Sequence, residues 1–257
     1  MQQHSSEILD YSVFSGGKVE CVKEIASALR DGMFTSKWLA CINPHSYVVA
    51  MNDPDFSRCM KSADWLVPDG IGVVLASRLL GGDIRSRVSG SDIFFGVMAE
   101  LNRIGGSVFF LGASESTLDN ITQKITFDYP KVTVVGSFAP PYIVGNHFDA
   151  DTSETMVSKV NEVNPDVLWV GLTSPKQDLW LEQNLPQLEV RFAAGVGAVF
   201  DFYGGSVKRP GEVWQNAGLE WLPRLLLEPT RLWRRTFVSA PIFIWAVLKR
   251  KFGRQAA

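Results

Sequence analysis

The sequence has few of the residues from which metal sites and disulfide networks are built. It contains three cysteines and three histidines in 257 residues, and no two cysteines follow the Cys-x-x-Cys spacing. A zinc site or a disulfide framework needs such residues in close spacing, so the sequence disfavours both. Scattered cysteines favour reduced thiols in the cytosol, where they fill small gaps in an apolar core. The three are Cys21, Cys41 and Cys59.

Long hydrophobic runs are also lacking. The amino-terminal stretch, MQQHSSEILDYSVF, has no basic segment followed by an apolar one, so the sequence predicts no signal peptide. The longest apolar run covers residues 237–248, which is 12 residues and includes Pro241. A helix needs about 20 apolar residues to cross a bilayer. We therefore expect a protein that stays inside the cell and can lie on a membrane without spanning it.

Charge is nearly balanced in the whole chain but not along it. The formal net charge is -2, yet residues 206–257 contain ten basic and three acidic residues, a net +7, which leaves -9 for residues 1–205. Four of the eight tryptophans also lie in the basic segment. Such a segment is typical of contact with an anionic surface, either phospholipid head groups or a phosphorylated ligand. Nucleic acid is disfavoured as a partner, because the acidic body would repel it.

Short β-rich apolar runs alternate with helical patterns between about residues 20 and 203. This alternation predicts an α/β fold with a Rossmann-like parallel sheet and helices on both faces, in a core domain over residues 1–205. The predicted strands are Trp38–Ile42, Trp65–Val67, Val108–Gly112, Val132–Gly136, Val167–Leu172 and Val190–Ala194. The predicted helices include Ile71–Leu80, Asp92–Ile104, Glu115–Phe127 and Thr152–Val163.

Residues 206–257 are predicted to form a helical, basic appendage. Arg224, Glu228, Arg231 and Arg235 recur at the spacing that places them on one face of a helix. Guanidinium groups bind phosphate bidentately, and tryptophans suit a membrane interface. The alternative is a solvated helix face with a weak Arg224–Glu228 pair. We expect some of these arginines to serve phosphate and others the membrane.

Asp69 follows a short apolar strand and precedes Gly70. Parallel sheets bind ligands in the loops after the carboxyl ends of their strands, so its carboxylate is expected in the ligand crevice. There it can accept a proton from an attacking hydroxyl, as a general base does. The alternative is a turn in which Asp69 only caps the helix that begins near Ile71.

Two other strand ends carry polar side chains. Asn43-Pro44-His45 can supply hydrogen bonds to a sugar or a phosphate, although Asn43 can equally cap a helix through residues 47–51. In the stretch 173–177, Ser174 can cap a helix while Gln177 hydrogen-bonds a sugar hydroxyl or the nucleotide. Capping and ligand binding are compatible at these ends.

Glycine turns follow two further strands. Gly112-Ala113-Ser114 is a strand-to-helix turn that can offer backbone N–H groups to phosphate, and Gly195-Val196-Gly197 begins like a dinucleotide fingerprint. The third glycine of that fingerprint is replaced by Phe200, and the acidic residue expected about 20 positions later is missing. Both turns can also serve close packing alone.

Two Asp-x-Asp pairs, Asp53/Asp55 and Asp149/Asp151, resemble the metal-diphosphate motif of sugar-nucleotide enzymes. Neither pair follows an apolar strand. We therefore expect exposed loop acids and no metal, so the positive charge that balances a departing diphosphate has to come from elsewhere, with the appendage arginines as the available source.

Seven motifs occur in an order that resembles the WecG/TagA/CpsF glycosyltransferase family. They run over about residues 38–235, and it is the ordered set that carries the resemblance. The motifs are Asn43-Pro44, Pro68-Asp69-Gly70, Arg87-Val88-Ser89-Gly90-Ser91-Asp92, Phe110-Leu111-Gly112, Gly171-Leu172-Thr173-Ser174-Pro175-Lys176-Gln177, Gly195-Val196-Gly197-Ala198-Val199-Phe200-Asp201 and Gly218-Leu219-Glu220-Trp221-Leu222-Pro223-Arg224.

The resemblance implies an inverting enzyme that needs no metal and no other cofactor. A UDP-sugar would donate a hexose-type sugar to a polyprenyl-diphosphate-linked acceptor during synthesis of cell-surface polysaccharide. The donor sugar is left open among N-acetylmannosamine, its uronic acid, glucose and glucuronate. The appendage would cover the site and bind the membrane, which implies a peripheral protein at the cytoplasmic face of the inner membrane.

The resemblance also implies roles for individual residues. Asp69 would be the base, Asp201 would lie at the nucleotide side, and Arg224 and Arg231 would meet the diphosphate. The implied substrate-binding residues are Asn43, His45, Arg87, Gly112, Ser174, Gln177, Gly197, Asp201, Arg224 and Arg231.

The sequence departs from the family pattern at three places near these motifs. Cys41 stands where threonine is common, Thr173 replaces a frequent glycine, and Asp178 replaces a frequent glutamate. Because sugar identity depends on a few pocket contacts, these departures bear on the sugar more than on the reaction.

Two alternatives to glycosyl transfer remain at this point. A dinucleotide-dependent oxidoreductase can use the same type of sheet, and a non-catalytic nucleotide-binding module can be tethered to the membrane. Self-association through an apolar helical surface is also open.

Overall fold

The computed structural model describes residues 4–31, 35–205 and 232–253. Its main feature is a six-stranded sheet in which every paired neighbour is parallel. A separate antiparallel hairpin, β1 (Ser5–Ile8) and β2 (Tyr11–Phe14), precedes it. The strands of the sheet are β3 (Lys37–Ile42), β4 (Trp65–Pro68), β5 (Gly106–Gly112), β6 (Val132–Phe138), β7 (Val167–Gly171) and β8 (Phe192–Gly195). Their order across the sheet is β4-β3-β8-β7-β5-β6.

Helices connect the strands and flank the sheet. A 3₁₀ turn covers Leu185–Gln187 and a π-helical turn covers Arg234–Ser239. The α-helices are α1 (Gly17–Arg30), α2 (Pro44–Asn52), α3 (Pro54–Ser62), α4 (Ile71–Leu80), α5 (Gly90–Ile104), α6 (Glu115–Asp128), α7 (Ala150–Asn161), α8 (Lys176–Asn184), α9 (Ala198–Tyr203) and α10 (Ala240–Gly253).

The sheet carries an apolar core on each face. On β3, Trp38, Ala40 and Ile42 pack into one cluster, whereas Leu39 packs into the other, because successive side chains of a strand point to opposite faces. Burial on both faces explains why the strands read as continuous apolar runs rather than as alternating ones. The predicted α/β fold with helices on both faces is thereby confirmed.

Predicted boundaries match the structure to within a few residues, and α4 matches at both ends. The hairpin of β1 and β2 was not predicted. Of the predicted appendage, residues 206–231 lie outside the described ranges, and α10 is its described helix. No described helix has both the length and the apolar character needed to cross a membrane.

Helix α10 packs on α2 and α4. Phe243 lies edge-on to Tyr47 with ring centroids 5.3 Å apart, and Lys251 Nζ donates to the Leu79 carbonyl oxygen at 2.6 Å. The helix therefore returns to the part of the body that contains the amino end of α2, where the first polar loop begins.

Candidate functional site

The strand order brings four polar loops to one edge of the sheet. Strands β4, β3, β8 and β7 are successive neighbours, and their carboxyl ends lead into Asp69, Asn43, Gly197 and the stretch 173–177. Residues far apart in sequence thus meet at one crevice, where ligands of parallel sheets bind. This edge is the candidate active site.

Asp69 is half-buried at the end of β4, and its backbone N–H donates to the Ile42 carbonyl oxygen at 2.8 Å. The residue that caps α4 is Gly70, at φ 96°, and no side chain makes a capping hydrogen bond there. Glycine is the residue that adopts this backbone conformation without strain. The structure therefore contradicts the alternative in which Asp69 serves only as the cap of α4.

The Asp69 carboxylate lies close to the Cys41 thiol of β3. Burial raises the pKa of that thiol well above its usual value, and the charges of Asp69 and Asp178 raise it further. Cys41 is therefore a neutral thiol at physiological pH, within electrostatic reach of both carboxylates.

Asn43 caps α2. Its Oδ1 accepts hydrogen bonds from the backbone N–H of His45 at 2.9 Å and of Ser46 at 3.0 Å, and Ser46 Oγ accepts from the Asn43 N–H at 2.8 Å. This reciprocal arrangement is a capping box. The cap uses the amide oxygen and leaves the Asn43 Nδ2 without a hydrogen-bond partner among the described residues. Capping and substrate binding by Asn43 are thus compatible, and its binding role stays a prediction.

His45 connects α2 to the carboxyl-terminal segment. Its Nδ1 lies 2.9 Å from Ser239 Oγ. Burial and, to a smaller extent, the positive charge of Arg235 lower the pKa of His45 to about 4. The imidazole is therefore neutral at physiological pH, where it can hydrogen-bond Ser239 or a substrate but carries no charge for a phosphate.

A small cavity opens at this point. It has a volume of about 60 Å³. Its walls combine α2, the start of α8 and the carboxyl-terminal segment, and are formed by Asn43, His45, Ser46, Val49, Phe56, Ser174, Pro175 and Arg235. Arg235 was placed in sequence only on the basic helix face. The structure adds that it faces the same cavity as three of the predicted binding residues.

Gln177 is 7% exposed at the start of α8. Its Oε1 accepts a hydrogen bond from the Gly197 backbone N–H at 3.3 Å. A Cβ at residue 195 would come within 2.7 Å of the Gln177 Nε2, and one at residue 197 would come within 2.7 Å of the Leu172 carbonyl oxygen. Gly195 at the end of β8 and Gly197 before α9 therefore make room for the Gln177 amide and the neighbouring backbone.

Asp178 was noted in sequence only as a departure from the family pattern. It is 5% exposed, and burial raises its pKa to about 6, while hydrogen bonds from the Ser174 and Gln177 side chains act in the opposite direction. Helix α8 mixes polar and apolar residues, so its sequence does not show which face is buried, and the burial of Asp178 could not be predicted from it.

Gly112 has a positive φ of 115°, and a Cβ there would lie 2.7 Å from the Gly171 backbone. The N–H of Ala113 donates to the Gly171 carbonyl oxygen at 3.1 Å. This turn therefore shows the close packing that was the alternative to phosphate binding, and the binding role of Gly112 stays a prediction.

Two further predicted residues, Arg87 and Asp201, lie in segments next to these loops. Arg87 lies 3.9 Å from an oxygen of Asp92, and the adjacent Val88 donates to the Pro68 carbonyl oxygen beside Asp69. Asp201 is half-buried in the first turn of α9, next to the Gly197 turn. Arg224 and Arg231 lie outside the described residues.

Both Asp-x-Asp pairs serve local structure. Asp53 accepts from the Phe56 N–H at 3.0 Å and Asp149 from the Thr152 N–H at 2.7 Å, each as a helix cap, and Asp55 pairs with Arg58 at 2.7 Å. In the described part of the chain, no three His, Cys, Asp or Glu side chains are grouped to hold a metal ion.

Fold and crevice together are those of an α/β protein with a candidate ligand site at the carboxyl edge of a parallel sheet, beside a candidate aspartate base. Residues 6–257 match the model of the family described as "Glycosyl transferase WecG/TagA/CpsF family". The chain belongs to the WecG/TagA/CpsF family and is a glycosyltransferase. The oxidoreductase and non-catalytic alternatives are thereby set aside.

Two bacterial relatives are named N-acetylglucosaminyldiphosphoundecaprenol N-acetyl-beta-D-mannosaminyltransferase. The protein from Bacillus spizizenii (strain W23) is 31% identical over 214 residues, which is 83% of this chain and 79% of the relative. The protein from Bacillus subtilis (strain 168) is 30% identical over 218 residues, which is 84% of this chain and 81% of the relative.

Proposed function

We propose that this enzyme transfers N-acetylmannosamine from a UDP-sugar to N-acetylglucosaminyl-diphospho-polyprenol, in the synthesis of cell-surface polysaccharide. The names of two relatives supply the acceptor and the sugar, and a sugar nucleotide is the donor that the family resemblance implies. The observation that carries the proposal is the position of Asp69 at the strand end of the crevice, free of the helix-capping task.

In the proposed reaction, Asp69 acts as the general base. The acceptor hydroxyl oxygen forms a bond to the anomeric C1 of the donor sugar while the bond from C1 to the UDP oxygen breaks. The hydroxyl proton passes to the Asp69 carboxylate, and the electron pair of the broken bond leaves with UDP. Attack opposite the leaving group inverts the configuration at C1. General-base assistance of this kind contributes about 10²- to 10⁴-fold.

Positive charge for the departing diphosphate comes from arginine in this proposal. Arg235 faces the cavity that Asn43 and Ser174 also line, and a guanidinium carries its charge at any working pH. Arg224 and Arg231 are proposed to join it. A charged arginine stabilises the oxygen on which negative charge develops, so no metal ion is required in the scheme.

The carboxyl-terminal helix α10 is proposed to bind the membrane. Ile244, Trp245 and Phe252 are exposed on it, and its last turn carries Arg250 and Lys251. Apolar and aromatic side chains beside basic ones are typical of helices that lie in the interface of anionic bilayers. In this proposal the enzyme is peripheral, at the cytoplasmic face of the inner membrane, and α10 brings it to the lipid-linked acceptor.

A UDP-release assay tests the donor and the acceptor together. The purified enzyme is incubated in EDTA with UDP-glucose, UDP-glucuronate, UDP-N-acetylmannosamine or UDP-N-acetylglucosamine, with and without the lipid-linked acceptor. We expect acceptor-dependent release with UDP-N-acetylmannosamine. Preference for another UDP-sugar would overturn the donor, and loss of release in EDTA that Mg²⁺ restores would overturn the metal-free scheme.

A further inference from the structure

A buried carboxylate that forms no ion pair within the described ranges lies beside the crevice. Asp178 is 5% exposed, and no described lysine, arginine or histidine forms an ion pair with it. Buried aspartates are rare unless they are paired, because removing a charge from water is costly. Burial of the Asp178 charge therefore costs folding free energy that an apolar or amide side chain would not cost.

The hydrogen-bond partners of Asp178 are two residues of the candidate site. The Ser174 hydroxyl and the Gln177 side chain both donate to its carboxylate. Ser174 also lines the cavity that contains Asn43 and Arg235. One carboxylate thus accepts hydrogen bonds from two polar groups, one in the loop after β7 and one in the first turn of α8.

The carboxylate also decides which way the Gln177 amide points. The Oε1 of that amide accepts from the Gly197 N–H, which leaves the amide nitrogen for the hydrogen bond with Asp178. A carboxylate only accepts hydrogen bonds, and a backbone N–H only donates. If the amide were rotated, its oxygen would face the Asp178 carboxylate and its N–H group would face the Gly197 N–H. Asp178 and Gly197 together therefore admit a single orientation of the amide.

Asp178 is close to the rest of the crevice floor. Its charge raises the pKa of the Cys41 thiol on β3 and of the Cys59 thiol on α3, in both cases after burial as the larger cause. The other carboxylates that act on these thiols include Asp69 and Glu182. The Asp178 network therefore extends to within the electrostatic reach of the proposed base.

We propose that Asp178 is a positioning residue, whose carboxylate fixes the Ser174 hydroxyl and the Gln177 amide in the orientation in which they meet the sugar nucleotide. The proposal rests on the proposed function, since it assigns these two groups to the binding of the donor. Asp178 itself touches neither substrate and acts through Ser174 and Gln177.

Asp178→Asn and Asp178→Glu separate positioning from folding. The asparagine keeps the shape but has one acceptor oxygen, so it admits the rotated amide, and we expect kcat/KM for the donor to fall about 10- to 30-fold. Because a buried charge is removed, Tm should not fall. The glutamate restores an acceptor-only carboxylate and should recover activity to within about threefold of the wild type. Glu182→Gln, on the same helix, is the matched control and should retain activity.

The pH profile provides a readout that a purely structural role would not alter. Positioning requires the ionised carboxylate, and burial raises its pKa to about 6. Wild-type kcat/KM should therefore decline as the pH falls through about 6, and this decline should be absent in Asp178→Asn. The facing groups Cys41, Cys59, Asp69 and Glu182 are unchanged in that variant.

A double-mutant cycle with Gln177→Ala completes the test. If Asp178 acts through Gln177, the effect of Asp178→Asn should shrink to about threefold or less once that amide is gone. Asp178→Asn activity within twofold of the wild type would overturn the proposal, as would full additivity in the cycle or a lowered Tm without rescue by glutamate. Failure of the proposed function differs from all of these, because the wild type itself would then release no UDP with any donor.

Discussion

The body and the carboxyl-terminal segment differ in how much of their apolar surface they bury. The body, described over residues 4–31 and 35–205, encloses most of its apolar side chains in a core on each face of the sheet. Helix α10 buries Phe243 and Val247 but leaves Trp245 67% and Ile244 55% exposed. The body sequence is acidic and the segment after it is basic. We propose that the exposed apolar side chains of the second region meet an anionic membrane surface, whereas the first region supplies the crevice.

The two regions meet at the candidate site. Ser239 contacts His45, and Arg235 shares a cavity with Asn43 and Ser174. The difference between the regions therefore implies a division of labour, in which the body supplies the base and the polar walls while the carboxyl-terminal segment supplies the cation and the membrane contact.

The largest effect is expected in the body, at Asp69. Asp69→Asn removes the proton acceptor but keeps the shape of the side chain, so kcat should fall at least about 100-fold with little change in Tm. Steady-state UDP release measures the effect. Asp55 forms an exposed ion pair with Arg58. Asp55→Asn is therefore the control and should retain activity. Near-normal turnover of Asp69→Asn would remove that residue from the role of base.

The next effect sharpens the contribution of the carboxyl-terminal segment. Arg235→Ala deletes the guanidinium from the cavity wall and should lower kcat/KM about 10- to 100-fold, since hydrogen bonds to charged groups are worth about 1.5–3 kcal/mol. Arg235→Lys keeps the charge but not the bidentate geometry, so its kcat/KM should lie between those of the wild type and Arg235→Ala. Arg103→Ala, an exposed arginine of α5, should have no effect. Equal activity of all four proteins would mean that the body alone binds the diphosphate.

Membrane contact should depend on α10 and not on exposed aromatics of the body. The double variant Ile244→Ser/Trp245→Ser should bind vesicles of anionic phospholipid about tenfold more weakly, because it loses apolar surface that would enter the interface. Phe127→Ser changes a phenylalanine of α6 that is 86% exposed and should bind as the wild type does. Vesicle sedimentation distinguishes the two, and equal weakening by both changes would remove the distinction between the regions.

The smallest effect concerns the hydrogen bond that joins the regions. His45 has a folded pKa of about 4, below its ordinary value of 6.5, so the folded state disfavours its protonation. The stability that neutral His45 contributes is thus present above about pH 6.5 and is lost as the pH falls towards 4. His45→Gln removes this titration, so its urea midpoint should decline less than that of the wild type between pH 7 and pH 5. Parallel declines would show that His45 does not titrate in this way.

Local sequence predicted those parts of the fold that depend on nearest neighbours. The apolar runs of β3 and β7 are buried on both faces and thus were readable without any partner strand. The hairpin of Ser5–Ile8 and Tyr11–Phe14 was missed because four-residue strands with mixed burial give a weak periodic signal. Asp69 was found because its place after a strand fixes where it points.

Other site residues depend on tertiary contacts that no local pattern encodes. Asp178 is buried only because α8 packs on α3 and on the strand that carries Gly195. Arg235 was read as one of several equivalent arginines, and only the return of α10 to α2 singles it out for the cavity. The sequence could not show whether Gly195 and Gly197 serve phosphate binding or close packing. The structure shows that the Gln177 amide and the Leu172 backbone occupy the space that a Cβ would need there.

The most direct test of this division of labour is sugar transfer by the full chain and by a chain that ends at Gly205, with folding of the shorter protein verified by circular dichroism. Radiolabelled N-acetylmannosamine is supplied as its UDP-sugar, with N-acetylglucosaminyl-diphospho-polyprenol in anionic vesicles. The account predicts that the full chain transfers the label and sediments with the vesicles, and that the shorter chain loses both properties together. Full-rate transfer, or undiminished sedimentation, by a folded chain that ends at Gly205 would contradict it.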